Sequence, residues 1–113
     1  MKVIWFSRHP ALQSQVAELK RLFGGDVEII TDPKPFATAD DIIRRFRASG
    51  AIEMVVVAPL SVIGAICDRG LRPLWAEMEV VSVSRAEVVA AGRGYKFIRF
   101  RRVKRLVLEF EEI

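Results

Sequence analysis

Three adjacent residues, Ser7, Arg8 and His9, offer side chains that suit phosphate chemistry. The Arg8 guanidinium can fork onto a phosphate through two parallel hydrogen bonds. His9 is the only histidine in the chain, and an imidazole titrates near neutral pH, so it can serve as an acid or a base. The structural alternative is that Ser7 or His9 caps the following helix while Arg8 is solvated. We favour a ligand site because of where the three residues lie.

That position follows from the elements predicted on either side. The apolar run at 2–6 predicts a strand, and Pro10 suits the first position of a helix that ends before Gly24. Ligands of open α/β sheets bind outside the carboxyl ends of strands, and a helix N-terminus favours an anion. Ser7, Arg8 and His9 would therefore lie at a strand end and beside a helix N-terminus.

The first 84 residues alternate between predicted strands and helices, which makes the chain an α/β protein. Further strands are predicted over 26–30, 52–58 and 72–84, and further helices over 39–49 and 59–70. Right-handed crossovers between parallel strands give a Rossmann-like three-layer fold with strand order 2-1-3-4. We expect one domain over 1–113, since the chain is too short for two cores.

The segment 85–113 is predicted to be a basic, β-rich extension. The run from Tyr95 to Glu112 predicts two strands meeting near Arg101, or one long strand with a bulge there, lying antiparallel at a sheet edge. The period of two places Tyr95 and Phe97 on one face and Phe100 on the other.

The positive charge of the chain is concentrated in residues 93–105, which hold seven Lys and Arg residues and no acid, whereas the other residues hold 11 basic and 14 acidic ones. Arg99, Arg101, Arg102 and Lys104, interleaved with aromatic residues, are candidate contacts to nucleic acid. The alternative, which we favour, is an edge strand whose charges block pairing with other sheets.

Other candidate sites carry weaker signals. Ser61 follows the third predicted strand, next to the Ser7–His9 loop in a 2-1-3 order, and is a candidate ligand contact. Asp32 and Lys34 follow the second strand, but no G-x-G-x-x-G motif accompanies them, which argues against a dinucleotide cofactor. Cys67 lies among apolar residues and is expected to be a buried structural thiol. No cluster of ligand residues suggests a metal, and we expect no cofactor.

Composition narrows the remaining possibilities. A single cysteine excludes an internal disulfide and fits a reducing cytosol, so we expect a cytoplasmic protein. No apolar run has the length of a membrane span, and we expect no membrane partner. The 51% hydrophobic content and the mean hydropathy of +0.23 indicate a tight core or a buried face between two copies, which favours a homodimer.

The opening segment, WFSRHPALQSQ, resembles that of the small CRISPR-associated Rossmann-like proteins related to CARF domains, some of which are ring nucleases. It is also similar to short uncharacterised proteins of bacteria and their phages. The resemblance implies a homodimer that binds a cyclic oligoadenylate across its two-fold axis, with Ser7, Arg8, His9 and Ser61 lining the pocket. It also implies metal-independent phosphodiester cleavage, with His9 and Arg8 as catalytic residues, as an activity to test.

The basic segment 93–105 has no counterpart in that resemblance. It keeps open a different class of function, a non-enzymatic nucleic-acid-binding or protein-interaction module of a phage or mobile element.

Overall fold

The computed structural model describes all 113 residues, which form an α/β structure with three α-helices and one six-stranded mixed sheet. The strands are β1 (Lys2–Phe6), β2 (Glu28–Asp32), β3 (Glu53–Val56), β4 (Leu74–Val81), β5 (Val88–Ala90) and β6 (Arg93–Arg102). The helices are α1 (Gln13–Phe23), α2 (Ala39–Ser49) and α3 (Leu60–Asp68), and a 3-10 turn spans Val83–Arg85. None of the helices combines the length and apolar content needed to cross a membrane.

The sheet has the order β2-β1-β3-β4-β6-β5, so the predicted order 2-1-3-4 of the parallel strands is confirmed. β6 and β5 follow antiparallel, and the sheet curls into a half-barrel. β4 pairs with β3 only through Leu74 and Val55, whereas it pairs with β6 along its whole length. Most of β4 therefore extends past the carboxyl end of β3.

The core lies on both faces of this sheet because β1 alternates between them. Ile4 and Phe6 pack with residues of α2 and α3, while Val3 and Trp5 pack with Leu19 of α1. All five of these side chains are buried. This arrangement fixes the end of β1, where the candidate loop begins, between helices on the two faces.

α2 begins and ends where local signals predict. The Thr38 hydroxyl accepts a hydrogen bond from the Asp41 N–H at 3.2 Å, and Gly50 adopts a left-handed conformation with φ of 73° after the last turn. Both features can be predicted from the local sequence.

α1 does not begin at Pro10, so that prediction is wrong: its first helical residue is Gln13. The Trp5 indole N–H donates to the His9 carbonyl at 3.0 Å, which holds the chain in a loop before the helix. The Leu12 N–H is capped instead by the Gln15 side-chain oxygen, at 2.8 Å.

The C-terminal predictions are corrected in three respects. β6 ends at Arg102, and residues 103–113 form no second strand because no neighbouring strand pairs with them. A register shift opposite Glu77 and Met78 leaves Ile98 unpaired, which turns Phe100 onto the face of Phe97, with ring centroids 4.8 Å apart. Residues 88–90, for which no strand is predicted individually, form β5 within the predicted β-rich extension.

Candidate functional site

A polar cleft opens where β1 and β2 end. It has a volume of about 430 Å³ and lies between the loop after β1 and the loop after β2. The two loops meet because β1 and β2 are parallel neighbours whose carboxyl ends share one edge of the sheet. The cleft is lined by Ser7, Arg8, His9, Pro33, Lys34, Pro35, Phe36 and Val57.

The loop of residues 7–9 is held by two hydrogen bonds that leave its charged side chain free. The His9 N–H donates to the Ser7 hydroxyl oxygen at 3.2 Å, and the His9 carbonyl accepts from the buried Trp5 side chain. Neither bond uses the Arg8 guanidinium or the His9 imidazole, and both residues are exposed. The structure thus brings Ser7, Arg8 and His9 to one cleft and leaves the side chains of Arg8 and His9 available to a ligand.

Arg45 of α2 fixes the facing loop. Its guanidinium, only 14% exposed, donates to the carbonyl oxygens of Pro35 at 2.7 Å and Lys34 at 3.2 Å. It also pairs with the carboxylates of Asp32 at 3.1 Å and Asp41 at 2.5 Å. This role cannot be predicted from the helix sequence, because three of the four residues that Arg45 contacts lie outside α2.

The polar cleft carries positive charge that no carboxylate within it balances. Arg8 and Lys34 line it, and no acidic residue does. Asp32, the acidic residue that precedes Pro33 of this cleft, accepts hydrogen bonds from the Arg45 guanidinium and from the Lys34 N–H, at 3.1 Å each. Hydrogen bonding from Arg45, more than from Arg44, lowers the pKa of Asp41, so this acid stays ionised and paired. The cleft therefore attracts anions through its side chains.

The expected contribution of a helix N-terminus to this cleft is absent. α1 begins after the loop, and none of its residues lines the polar cleft. The Leu12 N–H, just before the first turn of α1, already donates to the Gln15 side-chain oxygen. The charge available to an anion comes from Arg8 and Lys34 rather than from the helix dipole.

Ser61 does not join the other predicted ligand contacts. It is exposed in the first turn of α3, after Pro59, and it lines neither the polar cleft nor the apolar cleft described below. Lys34, which the sequence analysis associated with a dinucleotide site, lies in the polar cleft together with Arg8.

Three of the seven basic residues in the segment 93–105 are paired with acidic side chains of the same chain. Arg99 and Arg101 both pair with Glu77 at 2.9 Å, and Arg102 forms a two-pronged pair with Glu53 at 2.8 and 2.9 Å. Of the four predicted nucleic-acid contacts, Lys104 alone makes no ion pair. These pairs weaken the positive field that a polyanion would meet.

A second, apolar cleft lies on the other side of the same loop, and the sequence analysis did not predict it. Its volume is about 460 Å³, and its walls come from β4, β5 and the residues after β1 and β3. The apolar cleft forms because β4 extends past the end of β3 and curls together with β6. The apolar cleft is lined by Trp5, Ser7, His9, Pro10, Leu12, Gln15, Val57, Ala58, Trp75, Ala76, Met78, Val88, Val89, Ala90 and Tyr95.

No group of three or more His, Cys, Asp and Glu side chains is placed to hold a metal ion. Cys67 is half-buried on α3, where its thiol faces the Val103 carbonyl at a sulfur–oxygen distance of 3.7 Å. Burial raises the pKa of the Cys67 thiol, which favours its protonated, less nucleophilic form.

Comparison with known proteins finds no family model, no curated protein and no solved structure that matches this chain.

Proposed function

We propose that this chain binds a phosphate-bearing nucleotide in the polar cleft. The observation that carries the proposal is the pair of side-chain cations, Arg8 and Lys34, on two loops that are separately held in place, in a cleft that no acidic residue lines. Phosphate groups are bound by such preorganised cations, and Arg8 can form two parallel hydrogen bonds to one phosphate.

The resemblance of residues 5–15 to CARF-related proteins supports a more specific ligand, a cyclic oligoadenylate bound across the two-fold axis of a homodimer. The assignment of the parallel strands β2-β1-β3-β4 and their helices to a Rossmann-like three-layer fold belongs to the same proposal. In a dimer of this kind, two polar clefts would present four cations to the phosphates of one ring.

Metal-independent cleavage is the chemistry that these residues would perform on such a ligand. The ribose 2′-oxygen attacks the adjacent phosphorus, the bond from phosphorus to the 5′-oxygen breaks, and a 2′,3′-cyclic phosphate forms. His9 accepts the 2′-hydroxyl proton, the leaving 5′-oxygen takes a proton from water, and Arg8 stabilises the charge that develops on the phosphoryl oxygens. Orientation of the 2′-hydroxyl in line with the leaving group supplies much of the acceleration.

Thermal-shift measurements with cyclic and linear oligoadenylates, single-stranded DNA and single-stranded RNA test the proposal. A ligand present at about 100 times its dissociation constant stabilises the folded state by about 2.7 kcal/mol, which raises the melting temperature by several degrees. We expect one oligoadenylate to do so for the natural chain but not for Arg8→Ala. Product analysis in EDTA, with His9→Ala beside the natural chain, then tests cleavage.

Lys96→Ala is the matched control, since Lys96 is exposed, makes no ion pair and lies on β6, outside the polar cleft. The proposal predicts that this variant still responds to the oligoadenylate. If only long DNA or RNA stabilises the chain, and Lys104→Ala weakens that effect, the function belongs to the basic segment and the proposal fails. If no nucleotide stabilises the chain, a protein-interaction role replaces it.

A further inference from the structure

The apolar cleft contains one polar side chain that is buried and poorly satisfied. Gln15 is only 5% exposed, and its side-chain oxygen accepts from the Leu12 N–H at 2.8 Å. Its amide nitrogen, however, contacts only the thioether sulfur of Met78, at 3.6 Å. A thioether is a weak acceptor, and an amide donor without a good acceptor in an apolar site costs free energy. The cleft thus presents a donor that lacks a proper partner.

The walls of the apolar cleft suit a flat ring. Tyr95 is half-buried and pairs with Val80 on the same face of the sheet as Met78, so it offers aromatic surface to an occupant. Trp5, which also lines the cleft, is held by its bond to the His9 carbonyl and by edge contact with Phe100 at a centroid distance of 6.1 Å. Stacking on aromatic side chains is a general way in which proteins bind bases of any sequence.

The two clefts are continuous in their lining. Ser7, His9 and Val57 line both of them, so the loop after β1 and the end of β3 form their common border. A ligand whose phosphate lies beside Arg8 can therefore place an attached group across this border.

We propose that the apolar cleft binds the heteroaromatic base of the nucleotide whose phosphate lies in the polar cleft. The Gln15 amide donates to a ring nitrogen or carbonyl oxygen of the base, which stacks on Tyr95. This inference rests on the proposed function, and it adds that the ligand is recognised by its base as well as by its phosphate.

Calorimetric titration with ribose 5-phosphate and with adenosine 5′-monophosphate separates the contribution of the base to the binding affinity from that of the phosphate. We expect adenosine 5′-monophosphate to bind about 10-fold tighter, because a stacked base is worth about 1–3 kcal/mol. Gln15→Met should lower that advantage about 5-fold, in line with the loss of one hydrogen bond. Gln15→Glu keeps an acceptor for the Leu12 N–H and loses only the amide donor, so it should lower the ratio of the two affinities as Gln15→Met does, whereas loss of the cap on α1 alone would lower it only in Gln15→Met.

Tyr95→Val provides a second variant, at a half-buried position of β6 where a β-branched residue suits the strand. It should weaken adenosine 5′-monophosphate about 10-fold and leave ribose 5-phosphate unchanged. If neither compound binds the natural chain, the proposed function itself fails. If ribose 5-phosphate binds but the base adds no affinity, or Gln15→Glu and Tyr95→Val both keep the natural ratio, the base site is refuted and the phosphate site stands.

A different observation concerns residues 104–112, which we call the tail segment. It forms no helix or strand and exposes large apolar side chains, among them Leu108 at 81% and Phe110 at 91%. Its first residues are basic and its last residues are acidic, with alternating Leu106, Leu108 and Phe110 between them. An apolar β-type segment of this kind is a template for pairing with another strand.

The tail segment is complementary to itself when two copies run antiparallel about Leu108. Opposite charges then face each other at both ends, and leucines and phenylalanine face each other in the middle. The pairs are Lys104 with Glu112, Arg105 with Glu111, Leu106 with Phe110, Val107 with Glu109, and Leu108 with itself. Both aliphatic or aromatic pairs and opposite-charge pairs across strands are stabilising.

We infer that the tail segment is an interface between two copies of this chain, formed by this antiparallel pairing. The contact is isologous, as the closed symmetry of a homodimer requires. The dimer should be weak and concentration-dependent, because a two-stranded ribbon alone is only marginally stable.

Charge reversal tests the register directly by analytical ultracentrifugation over a range of concentrations. Arg105→Glu places like charges opposite each other twice per dimer and should shift the chain toward monomer, as should Glu111→Arg. The double variant restores opposite charges and should recover the dimer. If the natural chain stays monomeric throughout, or the single variants dimerise as well as the double variant, this interface is wrong.

Discussion

Arg45→Met removes the guanidinium that holds the loop between β2 and α2. Two of its contacts are hydrogen bonds to the carbonyl oxygens of Pro35 and Lys34, and the side chain is 14% exposed. At about 1 kcal/mol for each such bond, their loss destabilises the fold by about 2 kcal/mol. The ion pairs with Asp32 and Asp41 add a further stabilisation, which decreases as the salt concentration rises.

For a domain of this size, about 2 kcal/mol lowers the melting temperature by roughly 8 °C. Thermal unfolding followed by circular dichroism measures this shift. Arg44→Met is the matched control, since Arg44 lies next to Arg45, is 75% exposed and pairs with Asp41 alone. We expect a change of less than about 2 °C for it, as for most exposed ion pairs.

The loop also lines the polar cleft, so the same variant should weaken nucleotide binding while Arg44→Met leaves it unchanged. Equal melting temperatures for the two variants would refute the assignment of Arg45 as the residue that holds the loop. Unchanged binding in Arg45→Met, despite lost stability, would show that the loop keeps its shape without the guanidinium.

Three further predictions follow from single residues. Because the pKa of Asp41 is lowered in the folded state, its ion pairs stabilise the folded chain above pH 3.8, its ordinary pKa, and this stabilisation is lost as pH falls below that value. Acid unfolding should show this loss of stability, and Arg45→Met should reduce it. Gly94→Ala should destabilise the fold by about 2 kcal/mol in urea unfolding, since the added carbon would lie 2.7 Å from the Ala86 side chain and 2.9 Å from the Val81 carbonyl oxygen. Cys67 should react with a disulfide reagent at pH 7 far more slowly in the folded chain than after denaturation.

Each of these has its own contrary outcome. If acid lowers the stability of Arg45→Met as much as that of the natural chain, Asp41 is not the group responsible. Gly64→Ala serves as the control for Gly94→Ala, because its added carbon meets only the flexible Leu106 side chain at 3.2 Å and the change favours helix. Similar losses in both variants would contradict the steric argument. Fast labelling of folded Cys67 would show that the thiol is exposed.

Local signals predicted the elements whose ends are set within a few residues. Thr38 and Gly50 bound α2, and the apolar run at the centre of β3 indicates burial on both faces. α1 is different, because Pro10 is acceptable both in a first helical turn and in a loop. The indole of Trp5 decides between them by binding the His9 carbonyl, and this contact has no signature in the residues that follow.

The C-terminal third was harder to predict because strands there depend on distant partners. Residues 95–100 and 106–110 show the same alternation, yet only the first segment pairs with β4. The unpaired Ile98 reverses the side on which Phe100 lies, and this places Phe100 against Trp5. A bulge of this kind depends on the register between two strands, which neither strand specifies alone.

The candidate site was predicted in part. Ser7, Arg8 and His9 were chosen because they follow β1, and the parallel sheet brings Lys34 to the same cleft. The apolar cleft could not be predicted, since its walls form only when β4 and β5 curl over the end of β3. Gln15 is buried in the structure, although nothing in the local sequence distinguishes it from an exposed polar position of α1.

The central claim is that Arg8 and Lys34 bind a phosphate, and calorimetric titration of adenosine 5′-monophosphate against adenosine tests it most directly. The natural chain should bind the phosphorylated compound at least about 10-fold more tightly, as expected for hydrogen bonds to a charged group. The double variant Arg8→Ala/Lys34→Ala should lose that preference while its melting temperature stays unchanged. Equal affinity for the two compounds in the natural chain, or an undiminished preference in the double variant, would contradict the account.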